Sequence, residues 1–149
     1  MSFKPIRTFL TERLLEIDSD FEVFDQGFES QEIGANDFDK RFHIFYGSVV
    51  TTSANQNTTQ DIVTATVTLY FQGERESTEA LDNAMDTANL YRINCLKRMN
   101  YAGLSFIKNV VCNSIEASPV DVTNDNSVKV QLKFSISVIF GTGVDLDCD

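Results

Sequence analysis

The sequence contains few of the residues that build covalent or metal-based frameworks. It has three cysteines, Cys95, Cys112 and Cys148, without Cys-x-x-Cys spacing, and a single histidine, His43. A disulfide scaffold needs an even and denser set of cysteines, and a zinc site needs closely spaced ligands. The sequence therefore predicts neither a disulfide framework nor a metal site, and we expect Cys95 and Cys112 to be small core residues.

Basic residues are also scarce, with 12 Lys and Arg against 22 Asp and Glu, for a formal charge of −10. Phosphate contacts need Lys and Arg, so this balance argues against a general nucleic-acid binder. From Glu12 to Asp39 there are ten carboxylates and one basic residue, Arg13. This stretch is either a solvated surface or one that meets a basic partner or repels DNA sliding past it.

Long apolar runs are absent, which predicts no membrane-spanning helix. The first residues, MSFKPIRTF, contain no apolar core of a secretory signal, so we expect synthesis in the cytoplasm. Tryptophan is missing, but 12 Phe provide large apolar side chains. A chain of 149 residues with this composition predicts one domain, 1–149, with a single core.

The clearest pattern lies in Ser127–Phe140, where apolar residues occupy every second position from Val128 onward. Side chains of a strand alternate between its faces, so this is a strand with one apolar and one polar face. Lys129 and Lys133 both fall on the polar face. Ser105–Ala117 precedes it as a mixed strand, with Ile107, Val111 and Ile115 predicted on one side and Val110 and Cys112 on the other.

A second hairpin is predicted from Lys40–Val50 and Asp61–Gly73, which also alternate. In the first of these strands the pattern places Phe42, Ile44 and Tyr46 on one face and His43, Phe45 and Val49 on the other. Thr51–Gln60, between the two strands, is polar and uncharged, and we expect it to be a mobile loop. It is either tolerated disorder or a segment that orders against a partner. The residues after Gly141 form a short acidic tail, 142–149.

Two helices complete the pattern, Pro5–Ile17 and Ser77–Asn100. In the second helix Arg92 falls within the apolar face, while Leu90 falls among polar positions beside Ile93. A short strand is expected near Phe21–Phe24, and no βαβ repeat is visible. The predicted fold class is α+β, an antiparallel sheet of long hairpins with two helices packed on one face.

No group of residues spells out a reaction. His43 lies in a strand without a nucleophile signature around it, and we expect a structural role. Gly141-Thr142-Gly143 lacks the third glycine of a dinucleotide site, and Asp145, Asp147 and Asp149 are not followed by the Gly and Glu of a calcium loop. We therefore expect no enzyme activity and no cofactor.

The order and character of the elements resemble the tail terminator, or tail-completion, proteins of long-tailed bacteriophages, in the lambda-type family. The resemblance lies in an opening helix like Pro5–Ile17, a hairpin with a polar tip, a second helix and a closing hairpin. It covers most of the chain and involves no short motif. The acidic connection Asp25–Asp39 does not match the pattern.

The resemblance implies a virion protein that forms a hexameric ring, stops polymerisation of the tail tube and offers a docking face to the head and neck. DNA would pass through the ring without specific binding. The implied partners are the tail tube protein and a head–tail connector or neck protein. The residues expected to contact tube or neck are Thr51, Thr52, Asn55, Gln56, Asn57, Thr58 and Thr59. Those expected at the subunit interface are Leu90, Arg92, Ile93, Lys129 and Lys133.

Two alternatives stay open from sequence. One is a head–tail connector protein, which shares the small, ring-forming α+β character. The other is a small ligand-binding domain with an apolar pocket formed by the aromatic strand residues Phe42, Phe45, Tyr46, Tyr70 and Phe71.

Overall fold

A computed structural model describes residues 3–23, 39–55, 57–72, 78–119 and 127–141. Its helices are α1 (Lys4–Ile17), α2 (Thr78–Leu96) and α3 (Arg98–Tyr101). Its strands are β1 (Glu22–Val23), β2 (Arg41–Ala54), β3 (Thr58–Gln72), β4 (Ile107–Pro119) and β5 (Ser127–Gly141). The α+β class predicted from the sequence is confirmed, as are both long hairpins. The acidic tail 142–149 lies outside the described residues.

The strands form one sheet in the order β1-β2-β3-β5-β4. All pairings are antiparallel except that of β1, which runs parallel to β2 at Arg41 and Phe42. The sheet is therefore mixed rather than purely antiparallel. After β3 the chain crosses through α2 to the far edge, β4, and β5 then returns between β4 and β3. As a result β5, the most regular strand in the sequence, lies inside the sheet.

The helices pack on one face of this sheet. Alternate residues of β3 and β5 are buried on that face and meet buried residues of α1 and α2. Tyr91 of α2 packs edge-to-face on Phe134 of β5, with ring centroids 5.8 Å apart. The opposite face, which we call the outer sheet face, has no helix on it within the described residues.

Polar groups join α1 to α2 at the edge of the core. The buried Tyr91 hydroxyl donates to the carbonyl of Leu10 at 2.9 Å, and Asn94 Nδ2 donates to the carbonyl of Arg13 at 2.9 Å. Arg13 itself donates to both carboxylate oxygens of Glu16 at 2.9 Å. The hydrogen bonds from Arg13 and Asn94 lower the pKa of Glu16, and the charge of Lys97 adds to the effect. This junction fixes the two helices relative to each other.

The second helix ends earlier than predicted. Lys97 has extended backbone with ψ of 119°, so α2 stops at Leu96 and the short α3 follows. The last carbonyls of a helix lack partners within it. Asn100 supplies one, because its Nδ2 donates to the carbonyl of Asn94 at 2.7 Å.

Bulges change which residues share a face in the two outer strands. A register shift between Tyr46 and Ser48 places Val49 opposite the buried Val63, on the helix-covered face, so the predicted position of Val49 was wrong. In β4, shifts at Lys108 and Asn113 bring Ile107, Val110, Cys112 and Ile115 to one face. The sequence had predicted Ile107 and Ile115 on one face and Val110 and Cys112 on the other. A bulge inserts one residue and so reverses the alternation beyond it.

Candidate interaction surfaces

The polar segment between β2 and β3 is a β-ribbon and not the ten-residue loop that the sequence predicted. Thr51 pairs with Asp61, Ser53 with Gln60 and Ala54 with Thr59. Asn55 closes the turn, since its Oδ1 accepts from the backbone N–H groups of Asn57 at 2.8 Å and Thr58 at 2.9 Å. Thr is a good strand residue, so the many threonines that resembled a loop by polarity are in fact compatible with strands.

A buried carboxylate anchors this ribbon, and sequence reasoning missed it. Asp61 is 4% exposed on the helix-covered face. It accepts from the Thr51 hydroxyl at 2.6 Å and from the Thr59 hydroxyl at 2.7 Å. A buried carboxylate needs such donors because burial without them is costly. The signal available in the sequence was one Asp at an apolar position of the alternating β3 pattern.

The far half of β2 is an exposed edge. Among the described strands, β1 reaches only Arg41 and Phe42, so no described strand pairs with the free side of β2 beyond them. We call residues 47–55 the β2 edge, and all of them are exposed. Val49 is 44% and Val50 is 56% exposed. No charged residue occurs from Gly47 to Gln60.

Of the predicted tube or neck contacts, Thr51, Thr52 and Asn55 belong to the β2 edge, and Asn57, Thr58 and Thr59 belong to the turn and the start of β3. The structure therefore brings these six together at one end of the sheet. Gln56 lies outside the described residues.

The predicted interface residues of α2 lie on two different sides of the helix. Leu90 and Ile93 are 53% and 43% exposed, on the side of the helix away from the core. Arg92 is half-buried and hydrogen-bonds to Asn89. Its charge also opposes the rise in the pKa of the Cys112 thiol, which burial causes, so Arg92 lies towards β4. Side chains two positions apart are rotated by about 200° around the helix axis, so Leu90 and Arg92 lie on opposite sides of α2.

Lys129 and Lys133 share the outer sheet face, as the alternation predicted. They pair across to Tyr70 and Thr66 of β3. His43 lies on the same face, with its ring centroid 5.7 Å from that of Tyr70. Burial lowers the pKa of His43, and the charges of Lys129 and Arg7 lower it further. The lysines and the exposed residues of α2 are thus on opposite sides of the molecule and do not form one patch.

The aromatic residues proposed for a ligand pocket do not converge. By the strand register Phe42, Tyr46 and Phe71 are on the helix-covered face, whereas Phe45 and Tyr70 are on the outer sheet face. A shallow groove of about 260 Å³ occurs elsewhere, lined by Lys4, Pro5, Thr8, Phe9, Glu12, Leu104 and Phe106. Small-molecule sites occupy roughly 300–1,000 Å³, so this groove falls below that range.

The described cysteines behave as core residues. Cys95 is fully buried, and burial raises the pKa of its thiol to about 12. Cys112 is half-buried and packs against the core. A thiol with a raised pKa is a poor nucleophile at neutral pH.

Within the described ranges no group of three or more His, Cys, Asp or Glu side chains could hold a metal ion. In the same ranges no helix has the length and apolar character needed to cross a membrane. Comparison with protein-family models and with curated proteins found no match for this chain.

Proposed function

We propose that this protein is a structural subunit of a long-tailed virion. It closes the end of the tail tube as a hexameric ring, stops further polymerisation and presents a docking face to the head–tail connector or neck. The observation that supports this most strongly is the β2 edge, which is long, uncharged, exposed and partly apolar. A strand edge of this kind is a template for pairing with another chain.

The tube or neck contact lies at the β2 edge and its turn. Strand addition to β2 uses backbone groups for affinity, while Val49 and Val50 supply apolar contacts on the two faces. The hydroxyl and amide groups of Thr51, Thr52 and Asn55 add hydrogen-bonding capacity without charge. The Asp61 anchor holds this end of the sheet in its paired form before a partner arrives.

The ring requires two different surfaces on each subunit, because head-to-tail contacts close by rotation. The exposed residues Leu90 and Ile93 and the lysines Lys129 and Lys133 lie on opposite sides of the two layers. This disposition is compatible with a head-to-tail contact in which the helix side of one copy meets the sheet side of the next. Arg92, being half-buried, contributes to this contact less than the sequence suggested.

The overall charge is compatible with a subunit that surrounds a DNA path. At −10 the chain offers few ligands for phosphate, so DNA can pass without being held. Localisation to the tail of the virion is part of the same proposal.

The test is electron microscopy of particles made without this protein. A terminator predicts unfinished, over-long tails, and adding the purified protein during assembly should restore tails of uniform length. Finished tails detached from heads would support the connector role instead and would overturn the terminator proposal. Normal infectious particles would overturn both.

A further inference from the structure

The exposed side of α2 carries a short stripe of residues at the spacing of a helix-pairing seam. Asp86, Leu90, Ile93 and Lys97 follow one another at intervals of four, three and four residues, and all four are exposed. Lys97 directly follows Leu96, the last residue of α2, and its backbone N–H still donates to the carbonyl of Ile93 at 3.1 Å, which continues the helical turn. This spacing keeps side chains on one side of a helix and is the spacing of the seam in paired helices. We call these four residues the α2 stripe.

Charge along α2 and the two residues that directly follow it is separated by sign. From Thr78 to Tyr91 the charged residues are all acidic, Glu79, Asp82 and Asp86, whereas Arg92, Lys97 and Arg98 follow without an acid before Glu116. A parallel neighbour with the same sequence would place like charges side by side. An antiparallel neighbour places the acidic half of each helix beside the basic end of the other.

We infer that the α2 stripe is the contact surface for a second copy of this chain, paired antiparallel about a two-fold axis between Leu90 and Ile93. In this register Leu90 of each copy packs on Ile93 of the other. Asp86 of each copy lies beside Lys97 of the other, so one self-complementary patch provides both apolar contacts and both ion pairs.

The charges at the two ends of the stripe are available for this contact. Neither Asp86 nor Lys97 forms an ion pair with any residue in the described parts of the chain. Within the subunit the carboxylate of Glu16 feels the charge of Lys97, but Glu16 is bonded to Arg13 and Asn94. The ammonium group of Lys97 can therefore form an ion pair with a second copy of the chain.

The size of the surface sets the strength of the contact. Two apolar residues and one ion pair from each copy bury far less than the roughly 1,200 Å² of a stable interface. The pair is accordingly weak and depends on concentration. The contact itself does not rest on the proposed function. Because the proposed ring contact also uses Leu90 and Ile93, pairing and ring formation exclude each other, and a weak pair lets the ring form on a tail.

The test is sedimentation velocity of the purified protein from about 1 μM to about 1 mM, the range in which weak pairs dissociate. The wild type should rise from the mass of one chain to that of two. Asp86→Lys and Lys97→Asp should each weaken pairing at least tenfold, because each places like charges together. The double variant Asp86→Lys/Lys97→Asp should restore it, since the ion pairs are rebuilt with reversed sign.

Asp20→Lys is the matched control, with the same charge change at an exposed position away from α2, and it should pair like the wild type. A wild type that stays monomeric over the whole range would overturn the inference. So would a double variant as weak as the single ones, or assembly beyond two copies through this surface.

Discussion

The described sheet ends on one side in β4 and on the other in β2, which β1 covers only at Arg41 and Phe42, and these two strands differ in how they are protected. Both contain two register shifts. Strand β4 also has exposed charges at Lys108 and Glu116 and ends at Pro119, features that discourage pairing with another chain. The β2 edge has none of these and exposes Val49 and Val50. Within the described sheet, β4 is therefore protected against pairing with another strand, whereas the β2 edge is not.

The largest effect should come from placing a charge on the β2 edge. Val50→Lys puts an ammonium group where a partner strand would pack, so tail termination should be abolished while the subunit stays folded. Because Val50 is exposed, its free energy of unfolding should change by no more than about 0.5 kcal/mol. Electron microscopy of tails and chemical denaturation measure the two effects.

The matched control is Val111→Lys, an exposed valine on the outer face of β4. It should leave termination unchanged. Termination by Val50→Lys at the wild-type level would contradict the role of the β2 edge.

The next effect concerns the anchor that keeps the end of β2 paired. Asp61→Ala removes the acceptor for two threonine hydroxyls and should lower the free energy of unfolding by about 2 kcal/mol. Urea denaturation measures this loss. Asp82→Ala, at an exposed position of α2, should cost no more than about 0.5 kcal/mol. Equal losses for the two variants would show that the Asp61 network does not stabilise the fold.

Removing the exposed charges from β4 should have a smaller effect, an increase in self-association. Lys108→Val with Glu116→Val takes both charges from that edge, so the protein should associate at lower concentration than the wild type. Light scattering as a function of concentration measures the onset. Lys129→Val with Lys133→Val changes charge on the interior strand β5 and should shift the onset less, because that strand is already paired on both sides. A larger shift for the β5 variant would mean that edge charge is not what protects β4.

The smallest effect concerns the pH dependence of stability and His43, which lies near the start of β2 on the outer sheet face. Burial, Lys129 and Arg7 lower the pKa of His43, so the folded protein binds this proton less readily than the unfolded chain. Stability from this site is therefore present above the ordinary histidine pKa of about 6.5 and falls as the pH drops below it. His43→Gln should flatten that decline between about pH 7 and about pH 5. If the stability of the variant and that of the wild type fell equally with pH, His43 would not be the source of the decline.

The fold was predictable where strands run without interruption. Strands β3 and β5 alternate from end to end, so the shared face of Lys129 and Lys133 followed directly from the sequence. Prediction failed at Val49 and in β4, because a bulge shifts the alternation by one residue without a clear sequence signal. The exposure of Leu90 and the position of Arg92 in the apolar face were correct, since helical periodicity does not depend on such shifts.

The candidate surfaces were harder to predict than the fold. Polarity indicated a loop at Thr51–Gln60, but pairing of Thr59 with Phe140 and of Gln60 with Ile139 extends β3 along β5. This pairing joins strands that are far apart in the sequence, so the local composition of Thr51–Gln60 could not predict it. The role of Asp61 depends on two hydroxyls that reach it only once the hairpin has formed. Exposure of the β2 edge likewise depends on the strand order, which places β2 outside β3.

The proposed pairing of the β2 edge with a partner chain can be tested by amide hydrogen exchange of the free protein and of the protein assembled on tails. Backbone N–H groups on the free side of residues 47–55 should exchange rapidly in the free subunit and slow markedly on assembly, while those of β4 change little. Slowed exchange elsewhere with an unchanged β2 edge would contradict the claim.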